Sequence, residues 1–162
     1  MTSIVRRATE ADFAGIGEVL GDGQRAHAEA LPAYIRHTPG AFASQAFQQS
    51  PARLIGDDAE RALFVAERDG HIIGTVTLTL RDTPESPFEH AVRVAYLSNL
   101  AVRAGESGKG TGTALIEAAL QWARDKGAQA VDLDVFAFNQ RANAFFERLG
   151  FSTLQRITRH PL

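Results

Sequence analysis

Hydrophobic and polar positions alternate with a period of two between residues 63 and 80, as they do in β-strands. Two such runs, Leu63–Arg68 and His71–Leu80, flank the dipeptide Asp69-Gly70, which is typical of tight hairpin turns. The pattern therefore predicts two antiparallel neighbours. A third long strand is predicted over Ala91–Val102, and its alternation places five side chains on one face: Val92, Val94, Tyr96, Ser98 and Leu100.

Helical spacing dominates the first part of the chain. Ile4–Arg7 predicts a short first strand, and Thr9 is a suitable residue to cap the helix that follows it. That helix carries apolar residues three and four positions apart: Phe13, Ile16, Val19 and Leu20. Residues 24–50 contain Pro32 and Pro39, which predict two short helices with a bend between them.

The last third alternates helix and strand signals. An apolar stripe at helical spacing runs from Leu115 to Ala123, and Gly127 is placed to end that helix. Val131–Val135 predicts a strand, Asn139 caps a short helix, and Phe151–Arg159 predicts a last strand. The predicted order β-α-α-β-β-β-α-β-α-β gives a mixed α+β fold, with residues 1–162 forming a single domain.

Composition narrows the functional classes. The formal net charge of -2 argues against a broad nucleic-acid interface, which needs an excess of basic residues. The absence of cysteine excludes disulfides, thiolate metal sites and a thiol nucleophile. No apolar run reaches the roughly 18 residues of a membrane span. We therefore expect a cytoplasmic protein with no membrane or nucleic-acid partner.

The stretch SGKGTGTAL, residues 107–115, places glycine at every second position and then changes to helix-forming residues. Glycine lets the main chain approach a ligand closely, and the first N–H groups of a helix have no partner within it. Together with the helix dipole they favour an anion. A plain turn is the alternative, but this arrangement after a strand favours a phosphate or pyrophosphate site.

Two common phosphate motifs do not fit this loop. Lys109 is followed by Gly110 rather than by Ser or Thr, so the P-loop pattern fails. The third glycine of a dinucleotide-binding fingerprint falls on Thr113, so that pattern fails as well.

Residues 100–151 instead resemble the core of the GCN5-related N-acetyltransferases, the GNAT family. The family pattern joins a strand ending in apolar-x-Val, a Gln/Arg-Gly-x-Gly-x-Gly/Ala loop, a helix, a strand and Asn-x-x-Ala-x-x-Phe-Tyr-x-x-x-Gly-Phe. The corresponding segments here are Leu100–Val102, Ser107–Gly112 and Asn139–Phe151. The resemblance implies a splayed, mixed and mostly antiparallel sheet flanked by helices.

The resemblance also implies acetyl-CoA as co-substrate and a primary amine as acceptor, in a small molecule or a peptide. The pyrophosphate of CoA would lie on the loop residues Ser107, Gly108, Lys109, Gly110, Thr111, Gly112 and Thr113. The pantetheine arm would pair with the main chain of Leu100, Ala101 and Val102 and contact Asn139. No metal is implied, and a homodimer is left open.

Two positions depart from the family pattern. Ser107 stands where the family has Gln or Arg, and nearby Arg103 is a candidate to compensate for the lost contact. Phe146 occupies a position beside the cofactor where the family often has a tyrosine that protonates the leaving thiolate, and phenylalanine cannot do so. Tyr96 is a candidate replacement for that acid, and Glu89 is among the nearest titratable groups for a base.

Other polar residues have plainer interpretations. The spacing of His27, Glu29, Tyr34 and His37 provides no metal site and is typical of a solvated helix face, although proteins of this family tend to frame the acceptor there. Asp132 and Asp134 alternate with core residues and are expected to face solvent or a polar neighbour.

The sequence thus predicts direct transfer of an acetyl group to an amine, without a covalent enzyme intermediate. A non-catalytic acyl-CoA-binding sensor is the main alternative, because Phe146 and the absence of carboxylates at Ser98 and Asn99 remove expected catalytic groups. A binder of another phosphate ligand is the third possibility.

Overall fold

The computed structural model describes residues 3–43 and 60–160, which form one five-stranded sheet covered by helices. The strands lie in the order of the chain: β1 Ile4–Arg7, β2 Arg61–Arg68, β3 His71–Thr83, β4 Val92–Val102 and β5 Ala130–Leu133. Within the described residues there are three α-helices: α1 Phe13–Ala30, α2 Thr111–Asp125 and α3 Gln140–Arg148. Strands β1 to β4 are antiparallel and β5 is parallel to β4, which confirms the predicted mixed sheet.

Each face of the sheet has its own hydrophobic core. Helix α1 covers one face, where it buries Ala8, Ile16, Val19, Leu63, Val65 and Ile72. Helices α2 and α3 cover the other face, where the largest fully buried side chains include Val76, Leu78, Leu115 and Ile116. Because both faces are covered, residues 72–78 of β3 are all buried, including Thr75 and Thr77, which alternate with the apolar positions.

The hairpin between β2 and β3 confirms the tight turn that Asp69-Gly70 predicts. Asp69 and Gly70 have φ values of 51° and 77°, which are the positive values that a two-residue hairpin turn requires. Arg68 pairs with His71 directly across the turn.

Strand β4 contains a bulge that the alternation did not predict. Asn99 has a φ of 52°, and the pairing with β3 shifts between Thr77↔Ser98 and Thr75↔Ala101, so β4 carries one extra residue there. The prediction that Leu100 shares a face with Tyr96 and Ser98 is therefore wrong. Leu100 packs into the core beneath α2 and α3, whereas Tyr96 and Ser98 lie on the α1 side.

Two regions of the chain differ from the predicted secondary structure. The strand predicted over Phe151–Arg159 is absent. Residues 151–160 do not pair with β5, and their apolar side chains Leu154 and Ile157 are exposed. The two short helices predicted over residues 24–50 are also wrong where the structure describes them. Residues 24–30 complete α1, and residues 31–43 contain only turns and a 3-10 segment, Ala41–Ala43. Residues 44–50 lie outside the described part.

The start of α1 is fixed to the sheet by an ion-pair network. Thr9 precedes a 3-10 turn, Glu10–Asp12, and its main-chain N–H donates to the Asp12 carboxylate at 2.7 Å. Arg6 donates to both Asp12 oxygens, at 2.7 and 2.8 Å, and to Glu67 at 2.6 Å. The Arg6 guanidinium, with help from Thr9, lowers the pKa of the buried Asp12 carboxyl to about 2.

This network predicts a specific loss of stability in acid. Because the folded-state pKa of Asp12 lies below its unfolded value of 3.8, the stabilisation is complete above pH 4 and is lost as the pH falls through about 2. Asp12→Asn is expected to lower the free energy of unfolding by about 2 kcal/mol at pH 7 and by much less at pH 2. Denaturant unfolding at both pH values measures the difference. An equal loss at the two pH values would contradict the ionic origin of the stabilisation.

Candidate functional site

The candidate site opens where β4 and β5 separate. The two strands pair in parallel from Val94↔Ala130 to Leu97↔Leu133 and no further. Beyond that point, residues 98–102 pair with β3 alone, and no described residue pairs with the β4 edge that faces β5. Along Leu100–Val102, the main-chain groups that point to this edge are therefore open to an extended ligand, which can pair with them as an added strand would.

The glycine loop lies at the end of the same strand. A 3-10 turn, Ala104–Glu106, follows β4, and Gly108, Lys109 and Gly110 are exposed before α2 begins. Gly108 and Gly110 have φ values of 80° and 84°, a conformation that L-residues with side chains rarely adopt. A Cβ added at either position would meet no atom within 4 Å, so glycine serves the backbone conformation here and leaves the space in front of the loop open.

The loop presents a row of unpaired donors. Main-chain N–H groups from Gly108 to Thr113 make no hydrogen bond to the described residues, and the first bond of the helix runs from Ala114 N–H to the Gly110 carbonyl at 3.0 Å. The N–H groups of the first helical turn and the positive end of the helix dipole lie at the same end of α2. The arrangement fits a phosphate or pyrophosphate.

The start of α2 is pressed against the sheet. A Cβ on Gly74 of β3 would lie 2.9 Å from Leu115 Cδ1 and 3.3 Å from Thr111 Cγ2, so the close approach depends on glycine. The Thr111 side chain is buried, and its Oγ1 makes no hydrogen bond within the described residues. Of the predicted loop contacts, Thr111 thus has only its main-chain N–H to contribute.

Charged side chains beside the loop pair with one another. Glu106 accepts from Arg68 and, at 3.3 Å, from Lys109 Nζ. Arg103 donates to the Ile72 carbonyl at 2.8 Å and pairs with Glu18 of α1. In this arrangement the Arg103 guanidinium is held toward α1, and its compensation for the missing Gln or Arg at Ser107 stays a prediction.

Asn139 is the N-cap residue of α3, and Phe146 lies within that helix. Asn139 Oδ1 caps the helix by accepting from Ala142 N–H at 3.1 Å, as predicted, and its Nδ2 makes no hydrogen bond to the described residues. Phe146 packs between Phe145 and Phe151, with ring centroids 5.3 and 5.5 Å away, and is 8% exposed. Its role beside the cofactor stays a prediction, and its ring has no proton to donate.

Tyr96 lies just before the strands separate, on the α1 side. Its hydroxyl donates a hydrogen bond to Asp134 Oδ2, and the Arg81 guanidinium lies 3.4 Å from the centre of its ring. Hydrogen bonding to Asp134, burial and the negative charge of Asp134 raise the pKa of Tyr96 above its usual value of 10.0, and Arg81 opposes the shift. Tyr96 therefore stays protonated at neutral pH.

Glu89 does not join this group. It lies in the exposed loop before β4, where its N–H and carbonyl bond to Ser86. That loop precedes β4 and the glycine loop follows it, so the two loops lie at opposite ends of the strand. The structure does not bring Glu89 together with Tyr96.

Two contacts near the site were not predicted from the sequence. Asp134 faces a polar neighbour, as expected, but the sequence did not identify this neighbour as Tyr96, which lies 38 residues earlier in the chain. His27 and Tyr34 were interpreted as a solvated helix face, but Tyr34 lies beyond α1, and both rings contact Phe136. Helical spacing gives no signal for contacts between α1 and the end of β5.

Within residues 3–43 and 60–160, no three His, Asp or Glu side chains come together as ligands for one metal ion. Among the helices the structure describes, none combines the length and the apolar character that crossing a membrane requires.

Comparison with known proteins identifies the family to which this chain is similar. Residues 27–151 match the Acetyltransferase (GNAT) family. N-alpha-acetyltransferase 30 of Schizosaccharomyces pombe is 36% identical over 67 residues, which cover 41% of this chain and 45% of that protein. The chain spans about half the length of the first curated relatives it matches.

Solved structures share the fold. A variant of the BH1408 protein from Bacillus halodurans superposes with a TM-score of 0.89 at 24% identity, over 98% of this chain and 99% of that one. A predicted acetyltransferase from Clostridium acetobutylicum, solved with acetyl-CoA, superposes with a TM-score of 0.71 at 13% identity, over 99% and 96% of the two chains.

Proposed function

The chain belongs to the Acetyltransferase (GNAT) family, and from that premise we propose that it transfers an acetyl group from acetyl-CoA directly to a primary amine. The observation that carries the proposal is the row of unpaired N–H groups from Gly108 to Thr113 beside the open edge of β4. The glycine loop and this edge of β4 together form a groove. The end of the groove at the loop fits a pyrophosphate, and the end along β4 fits the extended pantetheine arm. A location in the cytoplasm, a single-domain organisation and assembly into a homodimer stay predictions.

In this proposal each part of acetyl-CoA binds to its own section of the groove. The pyrophosphate takes the N–H groups of the loop, and the amides of the pantetheine arm pair with the main chain of Leu100–Val102. The Nδ2 of Asn139 is available to the arm, since only its Oδ1 is used by the helix cap. The thioester then lies toward the point where β4 and β5 separate, next to Tyr96.

The reaction needs little covalent help from the protein. The amine nitrogen attacks the thioester carbonyl carbon, a C–N bond forms, the C–S bond breaks, and the sulfur leaves as a thiolate. Tyr96 is the candidate that protonates this thiolate, and the Asp134 carboxylate is the candidate that accepts the proton lost by the amine. The hydrogen bond between the two side chains then returns the proton from Asp134 to Tyr96. Positioning of the two substrates supplies the rest of the rate.

One observation favours a second function. The family tyrosine position holds Phe146, whose ring is buried in the core. If Tyr96 does not replace that acid, the protein binds acyl-CoA as a sensor without turnover.

The proposal is tested first by calorimetric titration with acetyl-CoA, followed by mass spectrometry of the protein with acetyl-CoA and pooled primary amines. We expect binding that ATP and NAD at equal concentration do not displace, and an acetylated amine above the level formed without protein. Binding without product from a broad pool would favour the sensor. Absence of acetyl-CoA binding would overturn both functions.

A further inference from the structure

Four aromatic rings meet at the end of β5, next to Asp134. The ring of His27, on α1, lies 5.3 Å from Phe136 and 6.0 Å from Phe138, centre to centre. Phe136 and Phe138 stack at 5.5 Å, and Tyr34 lies 6.5 Å from Phe136 in an edge-on arrangement. These four residues, His27, Tyr34, Phe136 and Phe138, form the aromatic cluster.

The aromatic cluster keeps much of its apolar surface accessible. Tyr34 is 58% exposed and Phe138 is 40% exposed, while His27 and Phe136 are half-buried. Three separate segments of the chain bring these rings together: α1, the turn that follows it, and the segment after β5. A cluster of partly exposed rings presents faces and edges on which a further planar ring can stack.

The cluster adjoins the groups assigned to proton transfer. Phe136 follows Asp134 by two residues, so their Cα atoms are at most about 7 Å apart. Asp132 pairs with Tyr96, and Asp134 and Phe136 continue the same alternation on the α1 side. When the nitrogen of an amine lies near Asp134, a linker of two or three bonds is therefore long enough to place a substituent of that amine on the aromatic cluster.

Charges beside the cluster limit what kind of amine fits. The Arg159 guanidinium lies 4.3 Å from the centre of the Tyr34 ring, and Arg81 lies over Tyr96. Asp132 and Asp134 are the carboxylates that β5 and the residue after it contribute on this side of the sheet. Two fixed cations near these two carboxylates leave little net negative charge to attract an acceptor with several positive charges.

We infer that the acceptor is a monoamine that carries an aromatic ring, bound with the ring on the aromatic cluster and the nitrogen toward Asp134. The inference names the substrate class of the reaction proposed above and rests on that reaction. It assigns ring recognition to Tyr34, Phe136 and Phe138, a role that was not predicted from the sequence for any of the three.

The test compares three amines at saturating acetyl-CoA: 2-phenylethylamine, butylamine and putrescine. We expect kcat/KM for 2-phenylethylamine to exceed that for each of the other two by about tenfold or more, the equivalent of one or two stacking contacts. Putrescine tests the charge argument, and butylamine tests the ring.

Variants of the cluster locate the effect. Phe138→Ala and, separately, Tyr34→Ala are expected to raise KM for 2-phenylethylamine about tenfold, with little change for butylamine. Phe88→Ala is the matched control, because Phe88 is 93% exposed in the loop at the far end of β4. The affinity of each variant for acetyl-CoA, measured by calorimetry, shows that the variant is folded.

The outcomes distinguish a failure of the aromatic acceptor from a failure of the proposed acetyl transfer. If acetyl-CoA binds and aliphatic amines are acetylated as well as 2-phenylethylamine, acetyl transfer stands and the aromatic acceptor is overturned. The aromatic acceptor is also overturned if both cluster variants keep the wild-type KM. If acetyl-CoA fails to bind, the proposed function falls and takes this inference with it.

Discussion

Replacing Gly110 with Asp abolishes measurable binding of acetyl-CoA, with an expected loss of affinity of roughly 100-fold or more. Two physical effects act together. Gly110 has a φ of 84° at the N-cap of α2, where a side chain strains the main chain. The new carboxylate also stands among the N–H groups that would hold the pyrophosphate, so it repels the ligand and competes for the same donors. Calorimetric titration measures the loss.

Two further variants separate charge from strain. Gly110→Asn places a side chain of nearly the same size at the same position, and asparagine tolerates positive φ better than most residues. We expect it to weaken binding far less than Gly110→Asp does. Gly127→Asp is the matched control for strain and charge, because Gly127 follows the other end of α2 with a φ of 71° and open space around it. It is expected to leave acetyl-CoA affinity unchanged.

An unchanged affinity for acetyl-CoA would contradict this prediction. If Gly110→Asp binds acetyl-CoA as tightly as the unmodified protein, the glycine loop does not hold the pyrophosphate. The proposal that acetyl-CoA binds in the groove along β4 would then lose its main support, even though the fold is the same.

Features that depend on neighbouring residues were predictable from the sequence. The Asp69-Gly70 hairpin needs only two residues that accept positive φ between two apolar runs. The glycine loop needs a strand, bare main chain and a helix start within ten residues, and all three are readable in order. The cap by Asn139 is local in the same way.

Features that depend on tertiary pairing were not predictable. The bulge at Asn99 becomes visible only against the register of β3, and it moves Leu100 to the other face. The segment 151–160 has strand-forming residues, but a strand exists only where a neighbour accepts its hydrogen bonds. The partnership of Tyr96 with Asp134 depends on the parallel pairing of β4 with β5, which brings residues 38 positions apart into contact.

That partnership carries the second large prediction. Tyr96→Phe removes the hydroxyl and keeps the ring under Arg81, so it is expected to lower kcat about 100-fold if Tyr96 protonates the leaving thiolate. The KM for acetyl-CoA is expected to stay unchanged, because the pyrophosphate and pantetheine contacts lie elsewhere. Steady-state kinetics with any accepted amine measures both constants. An unchanged kcat would reduce Tyr96 to a packing residue.

The pKa of Tyr96 gives an independent measure of the same contact. Asp134 raises this pKa above 10.0 by accepting the hydroxyl proton in a hydrogen bond and by its negative charge. Asp134→Asn removes the charge, so the pKa of Tyr96 is expected to fall toward its usual value and the tyrosinate to form at lower pH. The chain has two tyrosines, so ultraviolet titration in a Tyr34→Phe background reports Tyr96 alone. A pKa that Asp134→Asn leaves in place, together with an unchanged kcat, would mean that the hydrogen bond seen in the structure takes no part in moving the proton.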